Sequence, residues 1–113
     1  MKIKTNQKPQ TENGYTRIAN EIVTEFSKLH LSGNEWQILW VVLRKTWGWN
    51  KKEDAISFTQ FQELTKLSRP SVAEAIVKLV GKKVLLVNKS KSINVYSFNK
   101  LYQQWDSTEK STT

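Results

Sequence analysis

Cysteine is absent from the 113 residues, which rules out disulfides and thiolate metal sites together. Histidine occurs once, at position 30, and one imidazole without a thiol builds neither a His-based triad nor an ordinary zinc site within a chain. His30 sits at the end of a helical pattern, where the ring suits the helix dipole better than a metal. The four glycines, Gly14, Gly33, Gly48 and Gly81, are isolated from one another, so no phosphate-cradling loop is written here. No apolar run approaches the roughly 20 residues that span a bilayer. The start, MKIKTNQKPQ, is polar and lysine-bearing without a hydrophobic signal segment, which points to a cytoplasmic protein. These absences together argue against an enzyme and against a bound cofactor or metal.

Acidic residues are missing from one stretch in particular. Residues 81–101 carry five lysines and no Asp or Glu, the larger part of a net charge of +8. A cationic block of this kind favours a polyanion, and nucleic acid is the commonest one in a cytoplasm. A solvated, lysine-rich hairpin is the plain structural alternative.

The length suits one domain with one modest core. Both ends are poor in apolar residues, so we expect disordered tails over 1–12 and 106–113, the latter reading like the start of a linker, around a domain at 13–105. From Thr16, the run TRIANEIVTEFSKLH places Ile18, Ile22, Val23, Phe26 and Leu29 on one helical face. Ser32-Gly33-Asn34-Glu35 is a capping box, and the helix it opens carries Trp36, Leu39, Trp40, Leu43 and Trp47 as a single stripe. Tryptophans at that spacing belong to a core, not to a base-stacking platform. In Trp47-Gly48-Trp49, Gly48 is expected to end the helix in the left-handed conformation, with the two indoles plugging the corner. Asn50 to Asp54 then reads as a solvated reversal and Ala55–Phe58 as a short strand.

Thr59 and Gln62 suggest a second capping box ahead of a helix of about two turns ending at Lys66-Leu67. Ser68 caps another, with Pro70 in its first turn and Val72, Ala75, Ile76, Leu79 and Val80 along one face. That pair is a helix-turn-helix. Two β-rich runs, Val84–Val87 and Ile93–Phe98, then flank a polar tip bearing Lys89 and Lys91, which reads as a hairpin. Leu101, Tyr102 and Trp105 form a short segment suited to dock on the body. The expected fold is α+β and mainly α, a winged helix-turn-helix with a C-terminal β-hairpin wing.

With its apolar stripe inward, the last helix shows Arg69, Ser71, Ala73, Glu74, Val77 and Lys78 outward. In helix-turn-helix docking the N-terminal part of that helix enters the major groove of duplex DNA. Arg69 suits a two-pronged contact to guanine, and Ser71, beside the cap Ser68, a base or a phosphate. Glu74 repels phosphate unless it accepts from a cytosine amino group, and it can instead orient Arg69 or Lys78. Lys78, Lys89 and Lys91 suit phosphates. Lys51 and Lys52 are either phosphate contacts or a solvated turn.

Three stretches, NGYTRIANEI at 13–22, RKTWGWNKKEDAIS at 44–57 and LTKLSRPSVAEAI at 64–76, resemble the N-terminal domain of bacteriophage replication protein O and related phage initiators. The aromatic-Gly-aromatic-Asn-Lys-Lys-Glu-Asp run is the most specific part. The resemblance implies a winged-helix domain that binds repeated sites in a phage replication origin, inside the host cytoplasm. It also implies a C-terminal region, absent from these residues, that recruits a host helicase or its loader. Ala55 departs from the pattern where a larger, often aromatic residue is expected, which affects packing only, and Glu74 departs where a basic or polar one is common, so no base preference carries over. Two other roles use the same fold: a transcriptional regulator at a promoter, and a protein-docking module for replication factors. A homodimer is compatible with all three, with 16–30 and the segment around Trp105 as the places to seek it.

Overall fold

The computed structural model describes residues 8–106, so the tails expected over 1–12 and 106–113 lie mostly outside the described residues. Within that range, four α-helices and a small antiparallel sheet make an α+β domain: α1 (Asn20–Phe26), α2 (Gly33–Lys45), β1 (Glu53–Ala55), α3 (Phe58–Thr65), α4 (Arg69–Gly81), β2 (Leu85–Asn88) and β3 (Val95–Phe98). Single 3-10 turns stand at Thr11–Asn13, Trp47–Trp49 and Tyr102–Gln104. No helix among the described residues is long and apolar enough to cross a membrane.

Local chemistry sets the helix starts. Ser32 accepts from the Glu35 amide at 3.2 Å while the Glu35 carboxylate accepts from the Ser32 amide at 3.1 Å, the complete box expected for α2. Ser68 caps α4 by accepting from the Ser71 amide, and Pro70 sits in the first turn. The box of α3 lies two residues earlier than Thr59 and Gln62 suggest: Ser57 and Gln60 form it, at 3.1 and 2.9 Å. The reason is apolar. With Ser57 as cap, the residue before it, Ile56, and the fourth helical residue, Phe61, are both buried, whereas a Thr59 cap would put Glu63 in that place. Phe58 is accordingly helical, and the strand expected over Ala55–Phe58 runs instead from Glu53 to Ala55.

The sheet order is β1-β3-β2 with both pairings antiparallel. Ala55 faces Val95 and Glu53 faces Ser97, while Asn88 faces Val95 and Leu85 faces Phe98. The sheet therefore has a tip end at Val95, where the β2–β3 connection projects, and a base end at Phe98, next to the C-terminus of α4. Ile38, Leu39, Val42 and Leu43 of α2 meet Phe61, Val72, Leu79, Val84, Leu85 and Tyr96 in a fully enclosed core. Phe26 closes the base end, edge-on to Trp36 and Phe98 and stacked on Trp105 at 6.0 Å. The indole N–H of Trp105 donates to the Asn99 carbonyl at 2.7 Å, so the docked terminal segment is real.

Three further expectations are corrected. The first helix covers only Asn20–Phe26 and not the run from Thr16 to His30, and Val23 is 50 % exposed. The α2 stripe is only partly core: Leu39 and Leu43 are buried together with Ile38 and Val42, but Trp36 and Trp47 are half-buried and Trp40 is 48 % exposed. Nor does Gly48 turn left-handed. The helix stops at Thr46, whose hydroxyl donates back to the Val42 carbonyl, and Asn50 takes the left-handed conformation at φ 57°. What Gly48 supplies is room: a Cβ there would stand 3.0 Å from the Thr16 hydroxyl oxygen and 3.1 Å from an Arg44 guanidinium nitrogen. Trp47 packs edge-on against Phe98, while Trp49 stays 64 % exposed under the Arg44 guanidinium.

Candidate nucleic-acid interface

Helix α3 leads into α4 through three residues. Lys66 takes the left-handed conformation at φ 66°, and Leu67 tucks inward with its amide bonded to the Thr65 hydroxyl. The Gln37 side chain of α2 donates to the Thr65 carbonyl at 3.0 Å, satisfying a helix-end acceptor and fixing α3 against α2. Helix α4 then crosses with Val72, Ala75, Ile76 and Leu79 buried, which turns Arg69, Glu74, Val77 and Lys78 to solvent. Val77 is 69 % exposed, an apolar side chain in the middle of a polar face.

At the N-terminus of α4, the Arg69 guanidinium lies over the Phe58 ring at 4.8 Å. That contact draws the cation toward the sheet. Arg69 and Phe58 share one groove of about 310 Å³ with Ser92, Ile93, Asn94 and Tyr96 of the β2–β3 connection and β3. The start of α4 and the projecting finger are thus two walls of a single concavity. Lys89 and Lys91 ride the exposed tip of that finger. Ser68 and Ser71 are engaged with each other, the Ser68 hydroxyl donating to the Ser71 hydroxyl at 3.0 Å while it caps the helix, so their first role is to hold the α4 start. Glu74 lies 3.4 Å from Lys78, an exposed i,i+4 pair of the kind worth little in water and readily given up for a phosphate.

The cationic block of residues 81–101 is divided by the fold. Lys82 turns inward, pairing with Glu35 at 2.8 Å and donating to the His30 carbonyl at 3.3 Å. Lys83 and Lys100 belong to the base end of the sheet, leaving Lys89 and Lys91 at the tip. Lys51 and Lys52 precede Glu53 and also stand at the base end, ~10 Å along the sheet from the tip by strand rise. Lys51 is moreover paired with Asp54 at 2.6 Å. The structure therefore brings Arg69 beside the finger that carries Lys89 and Lys91, groups Ser71, Glu74 and Lys78 in a separate concavity with Ser32, Asn34 and Glu35 at the start of α2, and sets Lys51 and Lys52 apart.

Sequence reasoning missed Phe58, which steers Arg69, and Asn94, which lines the groove and donates to the Tyr96 hydroxyl at 3.5 Å. The overlapping box at Ser57–Gln60 was the available signal for Phe58. No signal marked Asn94.

The profile of the family described as bacteriophage replication protein O matches residues 7–105. The chain belongs to the replication protein O family. Replication protein 15 of Enterobacteria phage phi80 is 39% identical over 93 residues, 82% of this chain and 31% of that protein. Replication protein O of Escherichia phage lambda is 35% identical over 74 residues, 66% of this chain and 22% of that protein. The chain thus spans less than a third of the length of these replication protein O relatives. No solved structure matches it.

Proposed function

We propose that this chain is a duplex-DNA-binding domain of winged-helix type, acting at repeated sites of a phage origin in replication initiation. One observation carries the reading: Arg69, at the N-terminal start of α4, shares one groove with Ser92, Ile93 and Asn94 of the β2–β3 finger. The sheet order β1-β3-β2, with a two-helix turn between β1 and β2, supports it, and so does membership of a family of replication proteins.

In this reading the exposed face of α4 lies in the major groove with its N-terminal end leading. Arg69 leaves the Phe58 face to reach a guanine edge, and Val77 offers its methyls to a thymine methyl. Lys78, Lys89 and Lys91 take phosphates on either side, and the finger follows the backbone into the adjacent groove. If about three phosphates are neutralised, log affinity falls with log salt at a slope of roughly −2.7. A slope near −4.5, as five neutralised phosphates would give, would mean that Lys51, Lys52 or the base-end lysines also touch DNA. A host helicase or its loader is the expected partner of the remainder of a full-length initiator, and no enzymatic step is assigned to this domain. Selection of bound duplexes from a random pool is the direct test. A repeat-like consensus supports initiation, a single promoter palindrome would favour regulation, and no enrichment would sink the reading.

A further inference from the structure

The face of the domain away from α4 carries a second constellation, which the duplex reading leaves unused. Tyr15, 59 % exposed, and Trp49 line a cleft of about 420 Å³ with Asn13, Thr16, Arg44 and Gly48. The Arg44 guanidinium lies over the Trp49 indole with its carbon 5.6 Å from the ring centre, and a Cβ on residue 48 would stand 3.1 Å from one of its nitrogens. Arg44 is on the outward side of α2, opposite Ile38, Leu39 and Val42, and makes no ion pair among the described residues. Arg17 bonds the Tyr15 hydroxyl from the rim. Of the carboxylates near in sequence, Asp54 is occupied by Lys51, and Glu12 lies in the adjoining turn.

Such surface is costly to leave bare. Exposed Trp and Tyr rings beside a cation stacked on one of them present flat π surfaces and positive charge within one concavity. That is the chemistry of a site for unpaired bases, where stacking on aromatic rings and arginine planes gives affinity without sequence preference. An acidic peptide would match the charge of Arg44 but has no use for two flat walls. We propose that the Tyr15–Arg44–Trp49 cleft binds a base of single-stranded DNA, its flanking phosphates held by Arg17 and Arg44. The site stands on a different face from α4, so duplex and single strand are held at the same time. A domain with both surfaces grips a duplex site and a neighbouring melted strand together.

Titration of the intact chain with an oligothymidylate, which forms no duplex with itself, tests this. A labelled oligonucleotide is followed by anisotropy, alongside intrinsic tryptophan fluorescence. The wild-type chain is expected to bind at micromolar concentration with quenching that weakens as salt rises. Trp49→Ala is expected to lose about tenfold or more in affinity, in line with the stacking contribution of one base. Trp49→Phe retains binding while losing most of the quenching, and Gly48→Ala, which crowds Thr16 and Arg44, weakens binding. Arg69→Ala leaves oligothymidylate binding unchanged, and Trp49→Ala leaves duplex binding unchanged, so failure of this site is separable from failure of the duplex reading. Both rings are exposed, and circular dichroism of Trp49→Ala verifies its fold. The proposal is overturned if Trp49→Ala and Tyr15→Ala bind oligothymidylate like the wild type, or if Arg69→Ala abolishes that binding. It is equally overturned if no oligonucleotide binds while an acidic peptide occupies the cleft.

Discussion

Replacing Lys82 by Met separates a structural lysine from a DNA-binding one. Lys82 lies in the most cationic stretch of the chain, yet its ammonium sits 2.8 Å from the Glu35 carboxylate, with side chains 23 % and 4 % exposed respectively. Glu35 is also the capping-box acceptor at the start of α2, so the pair ties the N-terminus of α2 to the C-terminus of α4. Removing one partner of a buried pair leaves the other charge desolvated, at a cost of about 3–5 kcal/mol. Lys82→Met leaves the nearly buried Glu35 carboxylate without its cation, so a loss of about 3 kcal/mol is expected. Against a typical total of about 5–15 kcal/mol that is a large fraction, and it corresponds to a Tm lower by about 12–24 °C. Glu35→Gln is milder, about 1 kcal/mol, because glutamine keeps an oxygen for the Ser32 amide and the partly exposed Lys82 head can hydrate. Urea denaturation followed by circular dichroism, with the double variant closing the cycle, reads both numbers. Lys100→Met, at an exposed site, serves as the control and should stay within about 0.5 kcal/mol. A Lys82→Met protein as stable as the wild type, or one hurt less than Glu35→Gln, would refute this placement of the lysine.

Two other expectations concern local structure. Ser57→Ala should cost about 1 kcal/mol through loss of the α3 cap while Thr59→Ala costs almost nothing, and a reversed order in denaturation midpoints would restore the Thr59 box. The Tyr102 hydroxyl donates to Glu21, and that bond, with burial and the Glu21 and Glu25 charges adding, raises its pKa above the ordinary value near 10. A raised folded-state value means stability that is whole below pH 10 and lost as pH climbs through the raised value. Tyr102→Phe should therefore flatten the alkaline limb of the stability profile, and an unchanged limb would show that the bond to α1 has no energetic weight.

The legible parts of this fold are those written in neighbouring residues. Ser32 and Ser68 announce helix starts because their signals are local: a cap with its box partner Glu35 for α2, and a cap followed by Pro70 for α4. At α3 two boxes overlap, and only the burial of Ile56 and Phe61 chooses between them, a comparison that the sequence did offer. Asn50 was likewise visible in principle, since asparagine tolerates the left-handed region that Gly48 does not use here. Lys66 and Lys83 adopt it with no local sign, because the tight chain reversals around them impose it. The exposure of Trp40 was illegible for a different reason. Periodicity reports which residues share a face of α2, but not that the outer flank of that helix stays uncovered. The candidate site follows the same division. Arg69, Glu74 and Lys78 are positioned by the period of α4, whereas the dispersal of the lysines depends on the hairpin register and on where Glu35 lies.

Base-by-base affinity measurement on a selected duplex, wild type against Arg69→Ala, probes the central claim most directly. With each base pair of the site exchanged in turn, the wild type should discriminate at the position read by Arg69 by about 1–3 kcal/mol, and the variant should lose discrimination there and nowhere else. A uniform loss across all positions, or no loss at all, would contradict α4 as the reading element.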